Sequence, residues 1–221
     1  MDRVFWTDPY QTRLDSRVVS VTGSEVMLEA TILFAESGGQ ESDRGSIDGF
    51  PVIHAEILGP DIVYTLAEPP PFAAGDLVTT LIDWPRRYAL MRLHFAAEIV
   101  LELYYKAFPG LEKIGAHIAE TKARIDFLFE GSIAPTFPDI LARFDALVDA
   151  DAPITSTFSD ESALRRFWSI EGFAQVPCGG THLRRTGEIG RIRLKRKNIG
   201  GGKERVEITL VPEIGTSTLF P

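Results

Sequence analysis

The feature that most constrains the fold is one amphipathic helix, predicted from Arg86 to Ala107. Asp83 and Pro85 stand where an N-cap and a first-turn proline belong, and Pro109 follows the far end. Apolar residues recur at three- and four-residue spacing and make one apolar stripe, formed by Leu90, Leu93, Ala97, Leu101 and Tyr104. We therefore expect the rest of the chain to be organised around this helix.

Two residues at the edge of this stripe carry possible chemistry. His94 and Glu98 are four residues apart, so their side chains lie one above the other and can bind one metal ion or pass one proton. The pair alone is a weak signal, because it occurs by chance in many helices. It is strengthened by the downstream sequence Cys-Gly-Gly-Thr-His at 178–182, which offers a thiol and an imidazole at the same spacing.

Thiolate, imidazole and carboxylate are all ligands that Zn²⁺ accepts. The sequence therefore predicts a zinc site between the helix and the 178–182 turn, with four candidate ligands: His94, Glu98, Cys178 and His182. If all four bind the metal, a structural site is favoured. If Glu98 stays outside the ligand set, it is placed to take a proton from a water molecule. Cys178 as a nucleophile is a further alternative, although its spacing from His182 suits a metal better.

Composition excludes several classes of protein. Hydrophobic residues make up 44% of the 221 residues and charged residues 24%, as in an ordinary soluble globular protein. No apolar run approaches the roughly 20 residues needed to span a bilayer, so no membrane partner is expected. The single cysteine permits no internal disulfide, and the first residues lack a signal pattern. We expect a cytoplasmic protein.

The charge is unevenly distributed. The net charge is −8, yet residues 184–205 contain nine Lys or Arg and two Glu, or +7, which leaves −15 for the rest. A basic segment on an acidic body can bind a phosphate backbone locally. A pair of strands with solvated charged faces is an equally good interpretation of the charges alone.

The order of predicted elements indicates an α+β fold with two units. Residues 1–83 are expected to form a β-rich unit, a small barrel or strongly curved sheet, with strands at 16–21, 25–33, 52–58, 62–66 and 77–82. Residues 84–221 are expected to mix helices and antiparallel strands. Besides the first helix, they contain strands at 122–129 and 154–158, helices at 137–150 and 159–169, and a hairpin of 189–197 with 205–211 around Gly200–Gly202.

A glycine-rich loop at 34–45 interrupts the first unit. Gly38, Gly39 and Gly45 permit positive φ angles and a close approach of the backbone to a ligand. An ordinary loop between two strands explains the same glycines.

Four separated blocks carry a resemblance to a known family: FAESGGQESDRGSI at 34–47, IDWPRRYALMRLH at 82–94, KARIDF at 122–127 and CGGTHLRRTGEIG at 178–190. Through them the chain resembles the free-standing alanyl-tRNA editing proteins (the AlaX group), which are similar to the editing domain of alanyl-tRNA synthetase. The resemblance implies a β-rich domain followed by an α+β editing domain of the threonyl/alanyl-tRNA synthetase type. It also implies a zinc-dependent deacylase that removes Ser or Gly from mischarged tRNA(Ala) in trans, and so maintains translation fidelity.

The resemblance also implies roles for individual residues. It assigns His94, Cys178 and His182 to the metal, and places Gln40, with Gly38 and Gly39 before it, in a loop over the pocket. Gln40, Thr181 and Glu98 are the expected catalytic groups. The expected substrate contacts are Phe95, Gly38, Gly39, Arg184 and Arg185, the last two at the basic segment that would meet the tRNA acceptor end.

The first motif departs from the family pattern. The family has His-Thr-Ala-x-His where this chain has His94-Phe95-Ala96-Ala97-Glu98. Phe95 cannot form a hydrogen bond with a serine hydroxyl, so serine selectivity is expected to be weakened. Two alternatives therefore stay open: a hydrolase of the same fold that acts on another aminoacyl-tRNA or a small aminoacyl or amide compound, and a non-catalytic zinc-stabilised tRNA-binding module.

Other polar and aromatic side chains are expected to be mainly structural. His54 is expected to be structural or exposed, Asp126 to line the cleft or form a salt bridge, and His117 has no predicted place near the pocket. The tryptophans are expected to anchor the core or the interface between the units; they are Trp6, Trp84 and Trp168.

Overall fold

The computed structural model describes residues 1–212 and shows a mixed fold made mostly of strands. Its helices are α1 (Val4–Thr7), α2 (Trp84–Ala107) and α3 (Phe137–Asp149). The strands of the first part are β1 (Asp2–Arg3), β2 (Arg13–Thr22), β3 (Glu25–Leu28), β4 (Ala30–Thr31), β5 (Gly45–Ile47), β6 (Phe50–Leu58), β7 (Asp61–Leu66) and β8 (Leu77–Ile82). Those of the second part are β9 (Glu112–Ile118), β10 (Ala123–Leu128), β11 (Thr155–Asp160), β12 (Arg165–Ile170), β13 (Ala174–Pro177), β14 (Ile192–Gly200) and β15 (Lys203–Leu210).

The N-terminal part is β-rich, as predicted. Six of its strands pair in the order β2-β3-β7-β6-β5-β8, and the order closes on itself because β8 pairs with β2. Inward-facing apolar side chains alternate along these strands and form their own core, with Val26, Ile62 and Tyr64 fully buried. The predicted continuous strand at 25–33 was wrong in one respect, since it divides into β3 and β4 at Glu29.

Helix α2 is the centre of the second part. It begins at Trp84, two residues before the predicted Arg86, and its cap is confirmed, because the Asp83 carboxylate accepts a hydrogen bond from the backbone N–H of Arg86 (3.2 Å) and Pro85 lies in the first turn. The helix is buried on most of its circumference, beyond the single stripe expected, with Met91 and Ile99 fully buried as well. It packs with α3 against the antiparallel sheet β14-β15-β10-β9, while β11-β12-β13 form a separate sheet.

The predicted helix at 159–169 was wrong. This segment is the turn and second strand of a β11–β12 hairpin, in which Thr155 pairs with Ser169 and Phe158 with Arg166. The Asp160 carboxylate accepts hydrogen bonds from Ser162 Oγ and from the Ala163 N–H, and so closes a turn instead of capping a helix.

The other predicted elements of the second part are confirmed within a few residues. They are the strands now called β10 and β11, the helix α3, and the hairpin β14–β15, whose connection at Gly200–Gly202 has positive φ at all three glycines. Residues 213–221 of the predicted second unit lie outside the described residues. Within the described residues no helix is long and apolar enough to cross a membrane.

Two arginines at the start of α2 join the helix to the glycine-rich loop. Arg87 is fully buried, and its guanidinium forms an ion pair with the fully buried carboxylate of Asp43. It also donates to the backbone oxygens of Pro9 (2.8 Å) and Ile32 (2.5 Å). Arg86 pairs with the Glu41 carboxylate at 2.8 Å. The joint is therefore a hydrogen-bonded charge network in which the Arg87–Asp43 pair is fully buried and the Arg86–Glu41 pair is partly exposed.

Arg87→Met is expected to reduce the free energy of unfolding by about 3–5 kcal/mol, because it leaves the Asp43 carboxylate buried without its counter-charge. The matched control is Arg44→Met, since the Arg44 side chain is 68% exposed and its guanidinium is 3.9 Å from the Glu120 carboxylate. That exposed pair is expected to contribute less than about 1 kcal/mol. Urea denaturation measures both, and equal losses would contradict this account of the joint.

Candidate functional site

Three predicted metal ligands meet at one point. The Cys178 Sγ lies 3.2 Å from Nε2 of His94 and 3.2 Å from Nε2 of His182. The three potential ligand atoms lie within 4.8 Å of one another. Two segments far apart in sequence therefore converge as the spacing predicted.

Local structure explains how the 178–182 segment reaches the helix. Cys178 follows β13 directly, and its backbone N–H donates to the Arg166 carbonyl at 3.0 Å. The segment then runs without helix or strand, as its two glycines predict. A Cβ on Gly180 would lie 2.5 Å from Cε1 and 2.9 Å from Nε2 of His94, so only glycine lets the backbone pass this close to the ring.

The electrostatic state of the three side chains suits metal binding. Burial lowers the pKa of His94, although the Glu98 carboxylate opposes this. Burial, with smaller contributions from His94 and Arg166, places the pKa of His182 well below its usual value. Both rings are therefore neutral at neutral pH, with a nitrogen lone pair available. The His182 Nδ1 is hydrogen-bonded to Ser156 Oγ at 2.8 Å, which leaves Nε2 facing Cys178.

Cys178 has the opposite shift. Burial, assisted by the Glu98 carboxylate, raises its pKa to about 12. Without a cation the side chain is a neutral thiol at neutral pH, which is a poor nucleophile, whereas a bound metal draws off the proton. This state argues against Cys178 as a nucleophile.

The donor set fits a metal ion. A tetrahedral zinc ion with ordinary bond lengths separates a nitrogen ligand from a sulfur ligand by about 3.5 Å, close to both observed N···S distances. Three protein ligands leave one position for a fourth ligand.

Glu98 lies beside this group. One carboxylate oxygen is 3.9 Å from His94 Nε2, and the other accepts a hydrogen bond from the indole N–H of Trp168 at 3.1 Å. The compact set of ligand atoms contains His94, Cys178 and His182 and does not include Glu98. The carboxylate is thus fixed by Trp168 at the edge of the site.

The glycine-rich loop brings Gln40 to the same place. A tight turn at Gly38 and Gly39, with φ of +61° and +87°, reverses the chain. The Gly39 carbonyl accepts from Ile118 N–H (2.7 Å), and Glu41 N–H donates to the Ile118 carbonyl (3.0 Å), so the loop pairs with β9 of the second part. A Cβ on Gly39 would lie 2.9 Å from the Ala116 oxygen, so glycine is needed for this contact.

Gln40 is fully buried over the 178–182 segment. Its side-chain Nε2 donates to the Thr181 Oγ1 at 3.0 Å. Its Oε1 is 3.1 Å from the point that a Cβ on Gly180 would occupy, and it has no hydrogen-bond partner among the described residues. A buried acceptor without a partner is costly, so this oxygen is available to a substrate group.

Phe95 does not line an open pocket. Its side chain is fully buried and packs edge-to-face against Trp168, at 5.0 Å between ring centroids, and against His182 at 5.7 Å. Its contact with the site is this packing against the His182 ring.

The side chains of Arg184 and Arg185 form ion pairs with different parts of the molecule. Arg184 is exposed, pairs with Asp8 at 3.2 Å and lies over the Tyr10 ring. Arg185 is bound to Asp151 (2.7 Å). Arg191, Arg196 and Arg205 in the basic segment are also ion-paired. The remaining basic side chains are exposed, with no ion pair among the described residues: Arg193, Lys195, Lys197 and Lys203.

Several supporting residues escaped sequence analysis. Ser156 orients His182, Trp168 holds Glu98, and the Trp6 indole N–H donates to the Gly179 carbonyl at 2.8 Å. Arg166 was missed because its strand was predicted as a helix. Residues 165–170 do not alternate between polar and apolar types, so the adjacent aromatic residues Phe167 and Trp168 were the available strand signal.

The remaining histidines and Asp126 lie elsewhere. His54 is exposed on β6. The His117 Nε2 lies 3.2 Å from the Glu41 carboxylate, beside the glycine-rich loop. Asp126 is bound by Arg124 and Arg205, which supports the salt-bridge interpretation.

Comparison with known proteins finds two kinds of relative, alanyl-tRNA editing proteins and alanine–tRNA ligases. Residues 166–207 match the family described as the threonyl and alanyl tRNA synthetase second additional domain. The chain is 30% identical to the alanyl-tRNA editing protein AlaX-M of Pyrococcus horikoshii, over 94% of this chain and 97% of that protein. It is 29% identical to the AlaX-M protein of Methanosarcina acetivorans, over 94% and 98%. It is also 28% identical to the alanine–tRNA ligase of Methanococcus maripaludis, over 92% of this chain and 25% of the ligase.

Gly180→Ala is expected to lower the affinity for a divalent metal by about tenfold to a hundredfold, because the added methyl group displaces the His94 ring. Gly179→Ala is the matched control, since a Cβ there has nothing within 4 Å. Competition with a chromophoric chelator measures both affinities for Zn²⁺. Equal affinities of the two variants would show that the close approach at Gly180 does not position the ligands.

Proposed function

The chain belongs to the family of alanyl-tRNA editing proteins, and on this basis we propose that it hydrolyses the ester of wrongly charged tRNA(Ala), releasing Ser or Gly, in trans in the cytoplasm. The observation that carries the proposal is the meeting of His94, Cys178 and His182 with Gln40 and Thr181 at the joint between the two parts. The match to free-standing editing proteins over nearly their full length supports action in trans.

We assign Zn²⁺ to the group formed by His94, Cys178 and His182. When bound, such an ion polarises a carbonyl oxygen or lowers the pKa of a water molecule. The protein's own groups have separate tasks. Glu98 accepts a proton from water, while the amide of Gln40, held by Thr181, orients the aminoacyl ester. The free Oε1 of Gln40 suits a donor on the substrate, such as the α-amino group.

We propose that the tRNA acceptor end binds through phosphate contacts. The exposed cations of the β14–β15 hairpin, with Arg184 nearer the site, supply the positive charge for contacts that position the RNA without reading bases. The Arg185 guanidinium is already paired with the Asp151 carboxylate, so it contributes less to phosphate binding.

One observation favours a second candidate, a hydrolase with a changed substrate. Phe95 is sealed in the core between Trp168 and His182, so no hydroxyl is available at this position to recognise serine. Rejection of alanine then rests on pocket shape, which discriminates weakly between side chains of similar size. Another aminoacyl-tRNA or a small aminoacyl compound is the substrate under this alternative.

Zinc-loaded protein is expected to deacylate Ser-tRNA(Ala) and Gly-tRNA(Ala) faster than Ala-tRNA(Ala). Gln40→Ala is expected to lower kcat/KM by about a hundredfold, as for loss of one group that orients the reacting centre. His54→Ala, which removes an exposed histidine, is the control and should retain full activity. Release of radiolabelled amino acid measures all reactions.

Absence of turnover on all three substrates with metal bound would refute the editing function. Chelation separates catalysis from a structural role for the metal. Metal-free protein that stays folded but is inactive supports catalysis, whereas unfolding on metal removal supports the zinc-stabilised binding module.

Glu98→Gln tests the assigned role of the carboxylate. Because Glu98 lies outside the compact ligand set, the variant is expected to keep its bound zinc while kcat falls by about a hundredfold or more. Elemental analysis and single-turnover kinetics measure the two quantities. Loss of zinc from the variant would make Glu98 a ligand and contradict the role as proton acceptor.

A further inference from the structure

A cavity reaches the candidate metal site from the side of the N-terminal residues. It has a volume of about 140 Å³ and lies between the first residues of the chain, the β11–β12 hairpin and the 178–182 segment. His182, one of the three candidate ligands, lines it together with Gly180, Ser156 and Arg166. The cavity is thus adjacent to the place where the reaction is proposed to occur.

Arg166 is the unusual residue of this cavity. Only 6% of its surface is exposed. Its guanidinium donates to the Trp6 carbonyl at 2.7 Å and, at a long 3.4 Å, to the Gly180 carbonyl. It lies 5.4 Å from the centroids of both the Trp6 and the Phe158 rings. Its buried Nε has no hydrogen-bond partner among the described residues.

The positive charge of Arg166 has no carboxylate partner. Among residues 1–212 no acidic side chain lies within ion-pair distance of its guanidinium. The acidic residue that lines the cavity is Asp8, and its carboxylate is bound by Arg184 at 3.2 Å. The other charged lining residue is Arg184, which is the partner of that carboxylate. The cavity therefore carries one uncompensated buried cation, which is costly to maintain without an anion.

We propose that this cavity is an anion subsite, in which Arg166 binds the phosphate next to the aminoacylated ribose of the substrate. The proposal rests on the proposed function, since it extends the same site toward the nucleic acid. The cavity has room for a phosphate group beside the guanidinium. A planar guanidinium suits phosphate oxygens.

The position agrees with substrate chemistry. In an aminoacyl-tRNA, the ester is attached to the ribose whose 5′ oxygen carries the nearest phosphate. His182 faces Cys178 with Nε2 and also lines the cavity together with Arg166, so a phosphate bound by Arg166 would lie next to the ligand cluster. A carboxylate on the aminoacyl group is the other source of the same chemistry.

The first test needs no variant. Wild-type protein is titrated calorimetrically with adenosine 5′-monophosphate and with adenosine at equal ionic strength. The phosphate is expected to tighten binding by about tenfold or more, as for one charge-assisted contact. Equal affinity for the two compounds would overturn the proposal, whether or not the protein deacylates any tRNA.

The second test uses matched variants on neighbouring positions of β12. Arg166→Gln is expected to abolish the preference for the monophosphate, whereas Arg165→Gln, which alters an exposed residue, should keep it. If Arg166→Gln does not fold, Arg166→Lys replaces it in the test. The lysine variant should retain part of the preference for the monophosphate. If folded Arg166→Gln still prefers the monophosphate, the proposal fails, and the role of Arg166 is only to hydrogen-bond the carbonyl groups of Trp6 and Gly180.

A third comparison distinguishes the two sources of the anion. The 3′-amide analogue of aspartyl-adenosine is non-hydrolysable and carries a negative charge on the amino acid instead of on a phosphate; the matching asparaginyl-adenosine amide is its neutral control. Equal binding of the two supports the phosphate assignment. A preference for the aspartyl compound that depends on Arg166 would assign the cavity to the amino-acid side chain and overturn it.

Discussion

The attachment of the glycine-rich loop to the start of α2 brings Gln40 and His94 to the same place. Arg86 and Arg87 bind Glu41 and Asp43, which immediately follow Gln40, so the helix fixes the segment that carries the buried glutamine. His94 comes seven residues after Arg87, or about two turns, and therefore lies on the same face of the helix. One face of one helix thus holds the loop at its first turn and a candidate metal ligand farther along.

The chemistry of the site follows from how its charges are separated. The three groups at the centre are neutral before a metal binds, because burial disfavours imidazolium and thiolate alike. Formal charge lies on either side: Glu98 next to His94, and Arg166 beside the segment that carries Cys178 and His182. The Glu98 carboxylate attracts cations and the Arg166 guanidinium attracts anions. The site thus has a negative and a positive group on either side of its neutral centre.

Sequence analysis recovered the long-range convergence of α2 with the 178–182 segment because both carry chemically distinctive residues. It recovered most elements where periodicity and caps agreed, as at Asp83 and Pro85. It failed at 159–169, where local composition favoured a helix but pairing with β11 and the Asp160 turn decided the conformation. The contacts of Ser156, Trp168 and Arg166 could not be predicted, since each depends on a tertiary neighbour remote in sequence. Ion pairing also reduced the apparent positive charge of the basic segment, which a count of residues overstates.

The hydrogen bond from Trp6 to the Gly179 carbonyl joins residues 173 positions apart, and that from Gln40 to Thr181 spans 141. Contacts between such distant positions close late, because the intervening chain must be ordered before they stabilise anything. During synthesis, the first strands and the glycine-rich loop emerge long before the cysteine that completes the cluster. The glycine-rich loop therefore waits for its partners through most of translation, and the His94–Cys178–His182 group cannot assemble until residue 182 has been added.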